Sequence, residues 1–205
     1  MRSFLISVLF FLSVVVSAQD MTSLERFCRN VADSCVEMTY EYTVRLSGIN
    51  TAGQGKLAAQ GGKWKMEGNG VKMYCDSVVV WIMDQSSKEV VIESADAGAS
   101  AEYMTNPAVM FMRIGELFDT VKVLDKDDGR VALYILRPKN SGKIDYLNVE
   151  ILKKDALLMN GEFAMKDGTL VKVRVDSMIL TPLRPVSAFR PDRTFDSSWI
   201  VTDMR

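Results

Sequence analysis

The side chains that could carry out covalent or acid–base chemistry are few in this sequence. The 205 residues include no histidine, which excludes a Ser-His-Asp triad, a Cys-His dyad and histidine-ligated zinc or haem. The three cysteines are too few for a four-cysteine zinc or iron–sulfur site. Ser87 beside Lys88 could form a serine–lysine pair, but adjacent residues of a strand point to opposite faces. The acidic residues are scattered, so the sequence predicts no enzyme, no metal site and no cofactor.

The most distinctive feature of the sequence is its content of flexible apolar side chains. It contains 13 methionines interleaved with aromatic residues, and methionine suits irregular apolar sites. A packed core is the simpler interpretation of this pattern. The other is a sheet curved toward a barrel that holds a ligand inside. The formal net charge of −1 lacks the basic excess of a nucleic-acid surface.

The N-terminus has the layout of a secretory signal peptide. Arg2 is followed by an apolar run over residues 4–16, too short to span a bilayer comfortably. Val16-Ser17-Ala18 then places small residues at the −3 and −1 positions of a cleavage site. We expect residues 1–18 to be removed and residues 19–205 to form one soluble domain in the periplasm.

Export makes the cysteines disulfide candidates. Cys28 and Cys35 lie seven residues apart, which on a continuous helix is roughly 10 Å and too far to bridge. A disulfide would therefore join Cys35 to Cys75, the preferred pairing, or Cys28 to Cys75. The third interpretation is three free, buried thiols.

Two segments have strong periodicity. Thr22 or Ser23 can cap a helix that runs to about Asp33. Residues 36–46 then alternate strictly between apolar and polar side chains, which predicts a strand with one wet face.

A second helix is predicted from Asn106 as N-cap, through Pro107, to Phe118. It is apolar nearly all round, so it must be buried on most sides. Short alternating segments with turn signals such as Asn69-Gly70 fill the remaining chain. The predicted class is α+β, with about ten short antiparallel strands in one large curved sheet.

The order of these elements resembles the periplasmic outer-membrane lipoprotein carrier family, the LolA-like proteins. The resemblance spans nearly the whole mature chain, and the block from Tyr42 to Glu93 carries most of it. Motifs similar to those of the family stand, in chain order, at Gly53-x-Gly55, Trp64-Lys65-Met66, Cys75-Asp76-Ser77, Trp81-Ile82-Met83-Asp84, Asn106-Pro107-Ala108, Asp167-Gly168-Thr169 and Phe189-Arg190-Pro191. Two positions depart from the family: Gln60-Gly61-Gly62 stands where an Arg-Pro pair linked to lid closure is common, and Ser77 where Gly is usual.

The resemblance implies an incomplete antiparallel β-barrel with helices lidding a hydrophobic cavity. It also implies a monomeric chaperone for acylated lipoproteins, which receives them from an inner-membrane ABC transporter and delivers them to an outer-membrane acceptor. The alternatives are a carrier or sensor for another lipid or glycolipid, and a periplasmic interaction domain without a cavity.

Alternation selects the residues expected to face a ligand. The expected cavity lining is Met38, Tyr40, Tyr42, Val44, Leu46, Trp64, Met66, Trp81 and Met83. The expected lid residues are Met110, Phe111, Ile114 and Phe118.

Overall fold

The structure of the protein is a computed structural model, and it describes residues 21–95, 107–192 and 195–205. The predicted signal peptide and the predicted N-cap Asn106 lie outside these residues, as does most of the loop predicted over residues 95–100. Among the described residues, no helix is long and apolar enough to cross a membrane.

The first element is α1 (Ser23–Asp33), as predicted. Thr22 is its N-cap, and its side chain and that of Glu25 form a reciprocal capping box. Leu24, Phe27 and Val31 recur at helical spacing, so one face of α1 is buried.

Twelve strands form one open sheet. They are β1 (Cys35–Leu46), β2 (Ile49–Gln60), β3 (Lys63–Gly68), β4 (Val71–Cys75), β5 (Val79–Asp84), β6 (Glu89–Ser94), β7 (Phe118–Lys126), β8 (Val131–Pro138), β9 (Ile144–Leu152), β10 (Leu157–Met165), β11 (Leu170–Thr181) and β12 (Ile200–Asp203). Their order is β12-β6-β5-β4-β3-β2-β1-β11-β10-β9-β8-β7. All neighbours are antiparallel except β12, which pairs parallel to β6. Because β7 and β12 do not pair, the sheet stays open, as in an incomplete barrel.

The strand predictions were mostly right in position, with differences at two places. The structure has twelve strands rather than about ten. The sequence predicts the second strand only over residues 55–60, whereas β2 begins at Ile49, because its first residues pair with the end of β1. β12 was not predicted, since four residues after a proline-rich tail carry too little periodicity to identify a strand. Asn69-Gly70 makes the predicted hairpin turn, with positive φ at both residues.

The predicted second helix is broken. It consists of α2 (Pro107–Met112) and α3 (Ile114–Leu117), and Phe118 already belongs to β7. Arg113 leaves helical geometry at φ −116°, ψ 19°. Gly115, a poor helix former, lies where α3 meets α1: a Cβ there would be 3.2 Å from Sγ of Cys28.

The sheet has a core face and an outer face. The helices pack on the core face, where the main apolar cluster extends from β5 through β1 to β8. Two small clusters lie on the outer face. One joins Cys35, Ala58 and Phe189. The other surrounds Met83, Val90 and Ile92.

Candidate ligand-binding cavity

An apolar cavity of about 580 Å³ lies between the helices and strands β2 to β5. Its size is within the range of small-molecule pockets, roughly 300–1,000 Å³. Its lining residues are Cys28, Val31, Ala32, Ala59, Gly61, Gly62, Trp64, Cys75, Ser77, Val80, Ala95, Met110, Met112, Arg113, Gly115 and Glu116.

One row of paired residues forms the sheet wall of this cavity. Ala59 of β2 pairs with Trp64 of β3, Trp64 with Cys75 of β4, and Cys75 with Val80 of β5. Cross-strand partners share a face, so all four point toward the helices. Ala59 is small, which leaves room beside the large ring of Trp64.

Helix α1 forms the opposite wall and is firmly held. The hydroxyls of Ser23 and Tyr134 are hydrogen-bonded at 2.9 Å, and the amide of Leu24 donates to the same Tyr134 oxygen at 3.2 Å. Arg26 donates to the carbonyls of Lys153 and Lys154 at 3.1 and 2.8 Å. These bonds fasten the start of α1 to the far half of the sheet, so Cys28, Val31 and Ala32 project over β2 to β5.

Helix α2 contributes the methionines of the cavity. Met110 is fully buried, and Met112 is partly buried against the same core cluster. The ring of Phe111, between them, packs in the opposite direction onto the backbone of β10. A Cβ at Gly161 would overlap this ring, so only glycine at that position leaves room for it. Phe111 therefore anchors α2, and its two neighbours line the cavity.

One edge of the cavity lies at the ends of the strands, where two turns meet. Gly61-Gly62 joins β2 to β3, and the turn containing Ser77 joins β4 to β5. A Cβ on Gly62 would lie 3.5 Å from Cβ of Ser77, so the turns are in close contact.

Burial raises the pKa of the Cys28 and Cys75 thiols, so both remain protonated at neutral pH. The cavity is thus uncharged except for Arg113 and Glu116 at its edge, which pair at 2.8 Å.

Two of the predicted residues, Trp64 and Met110, line this cavity. Five others lie on the core face but pack into the main cluster instead: Met38, Tyr40, Tyr42, Val44 and Met66. The rings of the two tyrosines cover glycines of β2, where a Cβ would be 2.6 Å from the Tyr40 ring at Gly55 and from the Tyr42 ring at Gly53. Burial raises the pKa of Tyr40 to about 12, and its hydroxyl donates to the sulfur of Met66 at 3.3 Å.

Three predicted lining residues lie elsewhere. Trp81 and Met83 are on the outer face, packed with Val90 and Ile92 of β6. The alternation of β5 was assigned to the wrong face: Val80 and Ile82 point into the core. Leu46 is 43% exposed at the end of β1, because the hairpin tip extends beyond the helices that cover the core face.

The four predicted lid residues, Met110, Phe111, Ile114 and Phe118, are all buried in the main cluster. Of these four, Met110 alone touches the cavity. Phe118 is the first residue of β7 and pairs with Pro138, so it belongs to the sheet rather than to a helix.

The preferred disulfide between Cys35 and Cys75 is wrong, because all three cysteines are free. Cys35 is on β1 and Cys75 on β4, three strand spacings away, which is roughly 14 Å. A disulfide needs Cα atoms within about 7 Å. The two side chains also lie on opposite faces, Cys35 against Phe189 and Cys75 in the main core.

Several lining residues were missed by the sequence reasoning. Cys28 and Val31 belong to an apolar stripe on α1 that also contains Leu24 and Phe27, but such a stripe shows only that the helix packs against another element. Ala59 and Val80 give little indication of which face of the sheet they occupy, because small apolar residues occur on both faces of a strand. Met112 was not selected because the predicted helix is apolar nearly all round, so its sequence does not distinguish the side that faces a cavity.

A larger and more polar groove, about 790 Å³, lies mainly on the outer face of β1, β9, β10 and β11. Its charged side chains pair with one another: Lys172 with Glu162 at 3.1 Å and Arg174 with Glu41 at 2.8 Å. This is the pattern of a solvated sheet face. In the described part of the chain, no group of three or more histidine, cysteine or acidic residues could hold a metal ion.

The fold class defined by these features is a wide, open, mostly antiparallel sheet with short helices on its core face. No family model matches the chain, and no curated protein matches it. Among solved structures, it is similar to an uncharacterized conserved protein from Thermus thermophilus, with a TM-score of 0.55 and 12% identity over 88% of this chain and 96% of that chain.

Two further solved structures are similar over most of the chain. One is a LolA superfamily protein from Nitrosomonas europaea, with a TM-score of 0.47 and 10% identity over 84% of this chain and 99% of that one. The other is an outer membrane lipoprotein-sorting protein domain from Vibrio parahaemolyticus, with a TM-score of 0.46 and 9% identity over 81% and 94%. At identities this low, the similarity concerns the fold alone.

Proposed function

We propose that the protein is an exported, non-enzymatic carrier that shields an acyl chain of a lipoprotein in the cavity between α1, α2 and β2 to β5. The observation that supports this most directly is an apolar space of about 580 Å³ between the helices and the sheet. The cavity walls present methyl, thioether, thiol and aromatic groups, which suit an alkyl chain and give a polar substrate little to bind.

The energetics fit reversible carriage. Burial of each CH₂ group contributes about 0.8 kcal/mol, so a long acyl chain gains on the order of 10 kcal/mol before ordering costs. The remaining affinity is enough to keep the acyl chain bound while the protein is in water, and it still allows release to a membrane or to a better-fitting acceptor.

The lid in this proposal is the α2–α3 segment, with α1 as a fixed wall. Phe111 anchors α2 against Gly161, and the break at Arg113 separates α2 from the part that joins β7. In this proposal the break at Arg113 is the hinge of the lid, and the contact of Phe111 with Gly161 holds the lid closed when the cavity is empty. The Gly61-Gly62 turn replaces the arginine-bearing segment of the family, so closure in this chain depends on packing rather than on an arginine latch.

Export and delivery are the remaining parts of the proposal. Removal of residues 1–18 would place the chain in the periplasm as one domain of residues 19–205. A transporter in the inner membrane and an acceptor in the outer membrane would be its partners. Only the sequence resemblance and the signal-peptide pattern support these parts.

The test is ligand extraction and displacement. Protein purified from the cell envelope should yield bound acyl lipids by mass spectrometry. The purified mature protein should bind a fluorescent fatty acid that unlabelled fatty acid displaces. Ala32 lines the cavity yet is exposed, so Ala32→Trp should obstruct it without disturbing the core and reduce probe affinity at least about tenfold, the equivalent of roughly 1.4 kcal/mol.

The matched control is Arg29→Trp, an exposed position of α1 that does not line the cavity. It should bind the probe like the wild type. Equal loss in both variants, or no displaceable binding by the wild type, would show that this cavity does not hold acyl chains.

A further inference from the structure

We propose that the outer face of β2, β3 and β4, with the segment that follows β11, docks on an anionic lipid membrane. This surface lies across the sheet from the cavity and uses none of the side chains that line it. The inference is therefore separate from the identity of the cargo.

The first observation is a cationic groove of about 250 Å³ on this face. Four basic side chains line it, Lys56, Lys65, Lys72 and Arg184, against the two carboxylates of Glu37 and Glu67. Both carboxylates already have partners. Arg184 pairs with Glu37, and Nζ of Lys72 lies 3.4 Å from Oε1 of Glu67.

Two positive charges of the groove are therefore left uncompensated. Neither Lys56 nor Lys65 forms a salt bridge with any residue in the described ranges. The whole chain has a formal charge of −1, so this excess is local. A local basic patch on a nearly neutral protein orients it toward an anionic surface.

The second observation is an apolar rim at the neighbouring end of the sheet. Val78 is 66% exposed and Leu183 is 62% exposed. Val78 follows Ser77, which lines the cavity. Leu183 precedes Arg184, whose backbone exchanges two hydrogen bonds of 2.7 Å with the side chain of Gln60. Both residues thus stand on turns held by hydrogen bonds, next to residues that border the cavity.

The third observation is aromatic. Tyr74 lines the cationic groove and also packs in the outer cluster with Trp81 and Trp199. Tyrosine and tryptophan combine an apolar ring with a polar tip, which suits a boundary between lipid and water. The groove, the aromatic cluster and the apolar rim therefore adjoin on one side of the molecule.

An anionic bilayer matches this combination. Basic residues are attracted to anionic headgroups, each strengthening association by roughly fivefold, and the attraction falls off within a Debye length. Exposed apolar side chains enter the interface. Two uncompensated lysines and two apolar residues predict weak, reversible and salt-sensitive docking that brings the cavity edge at Ser77 close to the membrane.

The test is co-sedimentation of the purified mature protein with vesicles at low ionic strength. Vesicles of phosphatidylglycerol and phosphatidylcholine should bind it, and vesicles of phosphatidylcholine alone should not. The double variant Lys56→Glu/Lys65→Glu should bind the anionic vesicles at least about tenfold more weakly. The matched control Lys122→Glu/Lys154→Glu changes the same charge at exposed sites on β7 and in the β9–β10 turn, and it should retain binding.

Replacement of the apolar rim gives an independent readout. Val78→Ser/Leu183→Ser should weaken vesicle binding several-fold, and the exposure of both side chains leaves folding intact. Equal binding to neutral vesicles, no binding to anionic ones, or equal loss in the control variant would overturn the proposal. Vesicle-free fatty-acid displacement should be unchanged in all these variants, so failure here is distinguishable from failure of the carrier proposal.

Discussion

Nε of Arg190 donates a hydrogen bond of 2.6 Å to Oδ2 of Asp76, 114 residues earlier in the chain. The other carboxylate oxygen accepts the amides of Val78 and Val79, both at 2.9 Å. The Asp76 side chain is only 2% exposed. The contact joins two motifs that carried the family resemblance, Cys75-Asp76-Ser77 and Phe189-Arg190-Pro191, and it fixes the C-terminal segment beside the cavity edge.

Removal of this carboxylate should destabilise the fold. Asp76→Asn keeps the shape but leaves Arg190 without its partner and weakens two amide bonds. We expect a loss of about 2 kcal/mol in the free energy of unfolding, near the lower limit for buried pairs because Arg190 is half-exposed. Urea unfolding at neutral pH measures it. The control is Asp203→Asn in the exposed Asp203–Arg205 pair, where a change above about 0.5 kcal/mol is not expected.

The same carboxylate should make stability depend on pH. Burial opposes its ionisation, but hydrogen bonds from Val79, Val78 and Arg190 outweigh burial and hold the pKa of Asp76 below its usual value, about 3.9. The stabilisation is complete above that value and is lost as the pH falls through the lower pKa of the folded state. The difference in melting temperature between wild type and Asp76→Asn should therefore narrow from about pH 6 to about pH 2.5. A difference in melting temperature that stays constant over this pH range would contradict a lowered pKa of Asp76.

Features that depend on neighbouring residues in the chain were predicted correctly from the sequence, and features that depend on distant residues were not. The cap at Thr22 or Ser23, the alternation of β1 and the Asn69-Gly70 turn are local signals, and the helix start, the strand and the turn were correctly predicted. Which face of β5 is inside depends on the strands and helices around it. Trp81 was therefore placed on the wrong face, while Val80 was overlooked. The Phe111–Gly161 contact joins partners that are distant in the chain, so no local pattern could predict it.

Ser77 carries backbone strain at the cavity edge. Its φ is +80°, a region that L-residues adopt at a cost of roughly 1 kcal/mol and glycine adopts freely. Ser77→Gly, the residue usual in the family, should therefore stabilise the protein by about 0.5–1 kcal/mol in urea unfolding. Ser86→Gly is the contrasting variant. Ser86 has no positive φ and its hydroxyl donates to Asp84 at 2.6 Å, so this change should destabilise. An equal effect of both changes would contradict the strain argument.

The three thiols should differ in reactivity. Cys28 is half-buried, whereas Cys35 and Cys75 are buried, so an aromatic disulfide reagent should label Cys28 first in the native protein. Because burial raises the pKa of the Cys28 thiol, labelling should be slow at neutral pH and accelerate as the pH rises. After unfolding, all three thiols should react even when no reductant is present. Peptide mapping that finds Cys35 joined to Cys75 would contradict the register of β1 to β4.

The contact between Phe111 and Gly161 should appear as strong coupling between two variants. Gly161→Ala should cost about 2 kcal/mol, because the new methyl group displaces a fully buried ring. Phe111→Ala should cost about 3–5 kcal/mol through the space left behind. The double variant should cost at least about 1 kcal/mol less than the sum, since the added methyl group then enters that space. Gly142→Ala is the control. A Cβ there meets nothing within 4 Å, so its effect should stay within about 0.5 kcal/mol. Additive losses would mean that Phe111 does not rest on Gly161, and the anchor that holds α2 over the cavity would have to lie elsewhere.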